Sequence, residues 1–308
     1  MINYIKKKIG PIFIRNQRKL DQVKIQIAQT FFLNLELNLD KIENLETVNY
    51  KVFSQHGEDG IIQYLIKRLN LKEIKFVEIG TEDYSESNTR YIYQTMNCEG
   101  LIIDPYKNLK NQIQKHISLS SNKLKIHNDY INKENILEIL KKNNFEKNMD
   151  LFSIDIDGID YWIIKELPKK ISKIFIAEYN PFFGPKAEVT VPYKKNFNRT
   201  NYHYSNLCYG VSLRALINLM KEKQFTFIGS NNKNTNAFFV SNDYIDKIPI
   251  KIPNLKNLEI FTNCKIRESK DKDGRFDFKE NDQIINEIIN TEVLNLVTNK
   301  VEYLGKSY

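Results

Sequence analysis

The sequence predicts an α/β protein with a doubly wound, mostly parallel sheet of seven strands, of which the last runs antiparallel. Short apolar runs of strand length alternate with helical segments between residues 57 and 223, which is typical of βαβ crossovers. The final two apolar runs are separated only by residues 230–235. This connection is too short for a crossover helix, so these two strands must pair antiparallel.

The order of the predicted elements follows the plan of a Rossmann-like sheet, and the reversed last strand is that of the class I methyltransferase sheet. We predict strands at 75–79, 100–104, 124–127, 150–155, 173–178, 225–229 and 237–240. We predict helices at 57–70, 88–96, 108–117, 134–143, 161–167 and 211–223. Residues 50–242 thus form the predicted main domain.

Two extensions flank this domain. Residues 1–49 are predicted to be helical and basic at the start, from Lys6 to Lys19. They either pack on the main domain or contact the inner face of a membrane through their positive charge. Residues 243–308 carry a predicted amphipathic helix at 282–297, whose apolar stripe either docks on the core or forms a homodimer contact.

The composition is globular, with 41% hydrophobic, 12% aromatic and 27% charged residues among 308. Three widely spaced cysteines exclude a disulfide framework and a CxxC metal site, and they favour a cytoplasmic location. The net charge of +8 comes mostly from scattered lysines. Because the sequence has neither an Arg-rich strip nor an RNP-like aromatic pair, we expect no nucleic-acid partner.

The residues that end the first predicted strands are candidates for cofactor binding, because ligands of open α/β sheets bind at the carboxyl ends of strands. Glu78, Gly80 and Thr81 end the first strand, where a glycine lets the backbone approach a ligand. Asp104 ends the second strand, 24 residues after Gly80. It is either a helix cap or the carboxylate that accepts hydrogen bonds from ribose hydroxyls. The remaining candidate cofactor contacts are Gln55, Ser87, Asn88, Asn128 and Asp129.

A cluster of polar groups ends the fourth and fifth predicted strands, with Asp155 and Asp157 on one and Glu178 and Asn180 on the other. Adjacent strands lie about 4.8 Å apart, so these side chains are predicted to converge. Asp155, Glu178 and Asn180 offer the oxygen ligands that suit Mg²⁺ or Mn²⁺. The alternative is a metal-free site in which Glu178 and Asn180 bind substrate hydroxyls and Asp155 or Asp157 takes a proton.

Two further segments supply candidate residues. The motif Ser54-Gln55-His56-Gly57-Glu58-Asp59-Gly60 precedes the first predicted helix. His56 is either a general base, since the ordinary pKa of histidine lies near neutrality, or a surface residue beside capping groups. The loop at 182–209 is long enough to be a lid, and its Tyr193 and His203 are candidate substrate contacts.

The chain resembles the FkbM-related group of class I methyltransferases over about residues 50–242. The resemblance is carried by SQHGEDGI, FVEIGTEDYSESNTR, GLIIDP, DLFSIDIDGIDYW, IFIAEYNPFFGP and GVSLRALINL, followed by the closing NAFFV. It implies S-adenosylmethionine as methyl donor and a hydroxyl of a sugar, sugar nucleotide or other small precursor of surface polysaccharide or capsule as acceptor. Glu78, Gly80 and Asp104 carry over as cofactor contacts. Tyr84 departs from the wider superfamily, which usually has a glycine there.

Two other functions share parts of this pattern. One is a non-catalytic carbohydrate- or nucleotide-binding module on the same fold, which the departure at Tyr84 favours and the intact Glu78, Gly80 and Asp104 oppose. The other is an NAD-dependent oxidoreductase, which shares a ribose-binding Asp. The absence of GxGxxG from the sequence and the reversed last strand oppose it.

Overall fold

The computed structural model describes residues 2–119, 123–264 and 268–307, and it describes the backbone only at residues 2–11, 13 and 281. Within these residues the chain forms a central sheet and a smaller one. The helices are α1 (Ile2–Glu36), α2 (Glu58–Arg68), α3 (Arg90–Thr95), α4 (Leu109–His116), α5 (Ile136–Lys142), α6 (Asp160–Glu166), α7 (Arg199–Tyr202), α8 (Leu213–Glu222) and α9 (Asn281–Ile288). The strands are β1 (Ile74–Ile79), β2 (Cys98–Ile103), β3 (Leu124–His127), β4 (Met149–Ile154), β5 (Ser172–Glu178), β6 (Val189–Thr190), β7 (Phe225–Ser230), β8 (Asn236–Ser241), β9 (Glu292–Asn295) and β10 (Lys300–Tyr303).

The central sheet has seven strands in the order β3-β2-β1-β4-β5-β8-β7. Strands β1 to β5 pair in parallel, whereas β8 runs antiparallel to both β5 and β7. The order reverses between β1 and β4, which is where open α/β sheets bind their ligands. The predicted fold class is therefore confirmed, including the reversed last strand.

Apolar clusters cover both faces of the sheet. One contains side chains from α5, α6 and α8, and the other contains side chains from α2, α3 and α4. In the first, Phe152 of β4 and Phe175 of β5 stack with ring centroids 5.0 Å apart. Every residue of β4 is buried, because a central parallel strand is covered on both faces. The sheet is thus a rigid platform for the loops at its carboxyl edge.

The second half of α1 packs on the second of these clusters. Ala28 and Phe32 of α1 are buried there together with Leu45. Asp21 Oδ2 lies 2.5 Å from Arg90 Nη2, and both side chains are only 3% exposed. The proposed domain boundary at residue 50 stays a prediction, and residues 21–48 contribute to the same core. Among the described residues, no helix has the length and apolarity needed to cross a membrane.

The helix predicted at 282–297 is wrong in its second half. Helix α9 ends at Ile288, and Glu292–Asn295 is strand β9, which pairs antiparallel with both β6 and β10. Val293 is fully buried in this three-stranded sheet. A strand can place alternate side chains on a buried face, so the apolar residues after Ile289 satisfy this pairing instead of continuing the helical stripe.

Candidate functional site

A cavity of about 900 Å³ opens at the carboxyl edge of the central sheet. We distinguish its β1–β2 half, built from residues that follow β1, β2 and β3, from its β4–β8 half, built from the ends of β4, β5 and β8 and from residues 195–209. Eight of the nine predicted cofactor contacts line it: Gln55, Glu78, Gly80, Thr81, Ser87, Asn88, Asp104 and Asp129. The structure therefore brings together residues that are far apart in sequence.

The Glu78 carboxylate organises the loop that leads into α3. Oε2 accepts hydrogen bonds from Ser87 Oγ at 2.7 Å, from Thr89 N at 3.0 Å and from Thr89 Oγ1, while Oε1 accepts one from Asn88 N at 2.7 Å. Burial raises the pKa of Glu78, and these hydrogen bonds act in the opposite direction. Its main contribution is to fix Ser87 and Asn88 against the cavity.

Gly80 and Asp104 shape the turn after β1. A Cβ on Gly80 would lie 1.6 Å from the carbonyl oxygen of Asp155, and the φ of Gly80 is +82°, so only glycine fits between these strand ends. Asp104 Oδ2 accepts from Thr81 N at 2.7 Å and Glu82 N at 2.8 Å, and Oδ1 accepts from Tyr106 N at 2.7 Å. A carboxylate has roughly four acceptor sites, so Asp104 retains capacity for a ligand hydroxyl.

Tyr84 does not obstruct the cavity. It adopts a φ of +67°, in the left-handed region that glycine favours. Its side chain is fully buried away from the cavity lining, and its hydroxyl lies 3.0 Å from Thr89 Oγ1. The loop thus keeps a backbone conformation suited to glycine although the side chain has changed. The departure at this position leaves the ligand space open.

At the far end of the β1–β2 half, Asp129 lines the cavity and Asn128 supports it from behind. Asn128 Nδ2 donates to the carbonyl oxygens of Asp104 at 2.8 Å and Tyr106 at 2.9 Å. Asn128 was predicted to contact the cofactor directly. In the structure it contacts the loop that carries Asp104 instead.

Three carboxylates meet in the β4–β8 half. Single oxygens of Asp155, Asp157 and Glu178 lie within 4.8 Å of one another. Burial first, and then the neighbouring carboxylates, raises the pKa values of Asp155 and Glu178 well above their usual range. Binding of a proton by one member is the usual way in which a buried carboxylate pair reduces its repulsion.

Arg199 of α7 is the positive partner of this cluster, and the sequence analysis did not identify it. Its Nη1 atom forms an ion pair with Asp157. Burial lowers the pKa of Arg199, but Asp157 and Glu178 outweigh that effect and raise it. Burial raises the pKa of Asp157, whereas Arg199 acts to lower it. The segment predicted to be a lid thus supplies the counter-charge.

Asn180 faces away from this cluster. Its Nδ2 donates to the carbonyl oxygens of Leu207 at 2.9 Å and Tyr209 at 3.0 Å, and its Oδ1 accepts from Phe182 N at 3.0 Å. The amide therefore anchors both ends of the 182–209 segment. Because its oxygen is occupied by a backbone donor, the geometry does not support Asn180 as a metal ligand or substrate contact, and Asp157 takes its place in the cluster.

Three other candidate residues do not reach the cavity. His56 Nε2 is buried without a hydrogen-bond partner among the described residues, and burial lowers the pKa of this side chain. Tyr193 bonds Glu134 on the surface and packs on Trp162 at a centroid distance of 5.7 Å. His203 Nδ1 lies 2.7 Å from Ser205 Oγ. Their predicted roles in catalysis and substrate binding stay predictions that this geometry does not support.

Asn236 is a second cavity residue that the sequence analysis missed. It begins β8 and lies opposite Glu178 in the β5–β8 pairing. Because β8 is the reversed strand, its first residue lies at the carboxyl edge of the sheet, where the parallel strands place their last residues. The signal for this position is the predicted reversal of the last strand, which brings a strand start to the edge where the parallel strands end.

Comparisons with known proteins give fold-level likenesses only. No protein-family model and no curated protein matches the sequence. A putative hemolysin from Lactococcus lactis is 12% identical with a TM-score of 0.37, over 67% of this chain and 96% of that one. Human N-acetylserotonin methyltransferase in complex with SAM is 9% identical with a TM-score of 0.31, over 60% of this chain and 56% of that one.

MtNAS in complex with MTA and tNA is similarly distant, at 12% identity and a TM-score of 0.31 over 70% of this chain and 75% of that one. Likenesses at these values carry no argument about activity. The fold rests instead on the strand order and pairing of the sheet itself. The FkbM-related family stays a prediction from the sequence.

Proposed function

We propose that this protein is an S-adenosylmethionine-dependent O-methyltransferase that acts on a hydroxyl of a sugar, sugar nucleotide or other small precursor of surface polysaccharide. The observation that carries the proposal is the cavity itself, in which the Gly80 turn and Asp104 lie at the strand-order reversal beside the cluster of Asp155, Asp157 and Glu178. The β1–β2 half offers the close backbone approach and ribose acceptor that a nucleoside needs. The β4–β8 half offers groups that accept a proton.

The residues of the chain supply positioning and proton transfer. S-adenosylmethionine supplies an electrophilic methyl group on a sulfonium. The O–H bond of the acceptor would break as the O–CH₃ bond forms and the S–CH₃ bond of the donor breaks to leave neutral S-adenosylhomocysteine, and the carboxylate of Asp155 or Asp157 would receive the proton. The pKa values of both groups are raised, which makes their ionised forms better general bases near neutral pH. Holding the two reacting centres aligned accounts for much of the expected rate enhancement.

A divalent ion is the proposed second cofactor, with Asp155, Asp157 and Glu178 as its ligands. Their mutual distances and their hard oxygen donors fit Mg²⁺ or Mn²⁺. Such an ion would lower the pKa of the acceptor hydroxyl. Calorimetric titration with Mn²⁺ tests this site: Glu178→Gln and Asp157→Asn should lose binding, and Glu99→Gln, an exposed carboxylate on β2, should retain it. Full methyl transfer in metal-free buffer would contradict the requirement for an ion.

Calorimetric titration with S-adenosylhomocysteine tests the donor site. We expect one site per chain with low micromolar affinity, about −8 kcal/mol. Asp104→Ala should weaken binding at least tenfold, while Glu99→Ala, an exposed carboxylate on β2, should bind normally. Wild-type affinity in a folded Asp104→Ala variant would remove Asp104 from the ribose role. No binding to the wild-type protein would contradict the proposed function.

The proposed setting is the cytoplasm at the inner face of the membrane, with no nucleic-acid partner and with a homodimer as the proposed assembly. Arg15, Arg18 and Lys19 line a shallow groove on α1, which suits an anionic surface. Cosedimentation with phosphatidylserine vesicles, compared with neutral vesicles, tests the membrane contact. Sedimentation equilibrium tests the dimer.

A further inference from the structure

Asn236, at the lining of the β4–β8 half of the cavity, carries a buried and unpaired oxygen. The residue lines the cavity and is only 3% exposed. Its Oδ1 atom has no hydrogen-bond partner among the described residues. Buried polar atoms are nearly always paired, and one that is left unpaired is costly. This oxygen therefore requires a donor that the described chain does not supply.

Glu58 fixes which end of the Asn236 amide faces the cavity. Asn236 Nδ2 donates to Glu58 Oε1 at 3.1 Å, and Asn231 Nδ2 donates to the same oxygen at 2.6 Å. The other carboxylate oxygen accepts from His56 N at 2.7 Å. An ionised carboxylate only accepts hydrogen bonds, so the NH₂ group of Asn236 must point toward Glu58. Its oxygen must then point away from Glu58.

Glu178 places a second unpaired oxygen beside the first. Its Oε2 atom has no hydrogen-bond partner among the described residues, and the side chain is 7% exposed. Glu178 and Asn236 are directly opposite in the antiparallel pairing of β5 and β8. Residues so placed project on the same face of a sheet and are near neighbours. Two neighbouring residues at the lining of one cavity thus each carry a buried acceptor without a donor.

We propose that Asn236 is a specificity-determining contact for the acceptor substrate. One hydroxyl of a polyhydroxylated acceptor donates to Asn236 Oδ1, and a neighbouring hydroxyl donates to Glu178 Oε2. Glu58 is a positioning residue that acts through the Asn236 amide. This inference rests on the proposed function because it assigns the β4–β8 half to the acceptor, and it requires no methyl transfer.

A neutral hydroxyl fits this pair better than a protonated amine does. The oxygen of Asn236 is uncharged, and Arg199 already supplies a positive charge to the neighbouring Asp157, which raises the pKa of Arg199 in turn. Each of the two oxygens lacks a hydrogen-bond donor among the described residues, and two O–H groups of a neutral acceptor would satisfy both without adding charge to the cavity. The same contacts give the SQHGEDG motif a role that the donor site leaves unassigned, since Glu58 belongs to it.

Saturation-transfer NMR on the full chain with S-adenosylhomocysteine present tests the proposal. The probes are methyl α-D-glucopyranoside, which carries neutral hydroxyls, and D-glucosamine, which carries an amine. The glucoside should bind the wild-type protein, and Asn236→Leu should weaken it at least fivefold. Glu58→Gln should weaken it about threefold, because a carboxamide both donates and accepts and no longer dictates the orientation of the Asn236 amide. Asn242→Ala, an exposed residue just beyond β8, is the matched control and should leave glucoside binding unchanged.

Calorimetry with S-adenosylhomocysteine separates this proposal from the donor site. Equal donor affinity in wild type and Asn236→Leu, together with loss of the glucoside, supports the acceptor contact and shows that the variant is folded. Glucoside binding that survives Asn236→Leu overturns it, as does absence of glucoside binding to the wild-type protein. Binding of glucosamine alone overturns the hydroxyl assignment. Failure of S-adenosylhomocysteine to bind would instead overturn the proposed function. Binding of the glucoside could still be measured in that case.

Discussion

The carboxylates in the two halves of the cavity differ in their hydrogen-bond partners. In the β1–β2 half, Glu78 and Asp104 accept hydrogen bonds from backbone N–H groups and hydroxyls of their own loops. In the β4–β8 half, Asp155, Asp157 and Glu178 crowd together, and Arg199 forms an ion pair with one of them, Asp157. In the first arrangement each carboxylate is held by donors of its own loops, and the second depends on a proton or a further partner.

This difference separates carboxylates that build the site from carboxylates that are available for chemistry. A buried carboxylate that is fully hydrogen bonded stabilises its loop, and its removal leaves donors unsatisfied. A buried carboxylate beside others destabilises the fold, and such groups with raised pKa values are common at catalytic sites. We therefore expect substitutions in the two halves to change stability with opposite signs.

The largest expected effect is that of Glu78→Ala. This change leaves the donors on Ser87, Asn88 and Thr89 unpaired in a buried loop, at a cost of about 3–5 kcal/mol in the free energy of unfolding. Urea denaturation measures the loss. Glu99→Ala is the matched control on β2 and should stay within about 0.5 kcal/mol of wild type. A loss as small as that of the control would show that Glu78 does not hold the loop.

Glu178→Gln should have the opposite sign. Because burial and Asp155 raise the pKa of Glu178, a negative charge on this side chain is costly in the folded protein, and a neutral isostere removes that cost. We expect the free energy of unfolding to rise by about 1–2 kcal/mol while methyl transfer is lost. Urea denaturation at pH 7 checks the sign, with Asp129→Asn as control. Destabilisation comparable to that of Glu78→Ala would show that Glu178 stabilises the fold, as Glu78 does.

Part of this site could be predicted from the sequence because ligands of open α/β sheets bind at the carboxyl ends of the strands. Alternation of strands and helices predicted the sheet and its reversed strand, and the strand ends then located Glu78, Gly80, Asp104, Asp155 and Glu178. These positions follow from topology, because parallel strands bring their carboxyl ends to one edge. The local sequence pattern was therefore sufficient to predict the site residues whose positions are set by the sheet itself.

The rest depended on contacts between distant segments, which no local pattern contains. Arg199 reaches Asp157 across 42 residues of sequence, and Asn236 reaches Glu58 across 178. Asn180 follows the end of β5 by two residues, and backbone groups of the following segment take up the hydrogen bonds of its amide. The helix predicted through Val297 failed for a similar reason, since pairing with β6 and β10 decided the structure of Glu292–Asn295.

The pH dependence of stability sharpens the comparison at Asp160, which borders the cluster. Burial raises its pKa to about 6, although it accepts hydrogen bonds from Ile156 N and Gly158 N. The folded protein thus binds this proton more tightly than the unfolded chain, whose aspartate pKa is about 3.9. Stability contributed by this group therefore rises as pH falls below 6 and declines as pH rises through 6.

The measurement is the free energy of unfolding of wild type minus that of Asp160→Asn, determined at about pH 7 and about pH 5. We expect this difference to grow by about 1 kcal/mol at the lower pH. The variant serves as the reference because groups with lowered pKa values, such as Asp83 and Asp277, change the stability of both proteins equally. A difference that shrinks on acidification would show that Asp160 is stabilised in its charged form.

The smallest expected effect concerns Arg199, the cation that the β4–β8 half already contains. Arg199 and a divalent ion compete for the same carboxylate of Asp157, so Arg199→Gln should increase affinity for Mn²⁺. The Arg199 and Asp157 side chains are 34% and 45% exposed, and ion pairs this open contribute only about 0.2–1 kcal/mol. We therefore expect a gain of about two- to fivefold in a Mn²⁺ titration followed by electron paramagnetic resonance.

Lys195→Gln is the control for this prediction. It removes one positive charge from the same cavity lining and so reports the effect of a general loss of charge, which should produce a smaller gain. Equal gains in both variants would assign the effect to the overall field of the cavity, and weaker Mn²⁺ binding in Arg199→Gln would show that Arg199 holds Asp157 in the geometry that the ion requires.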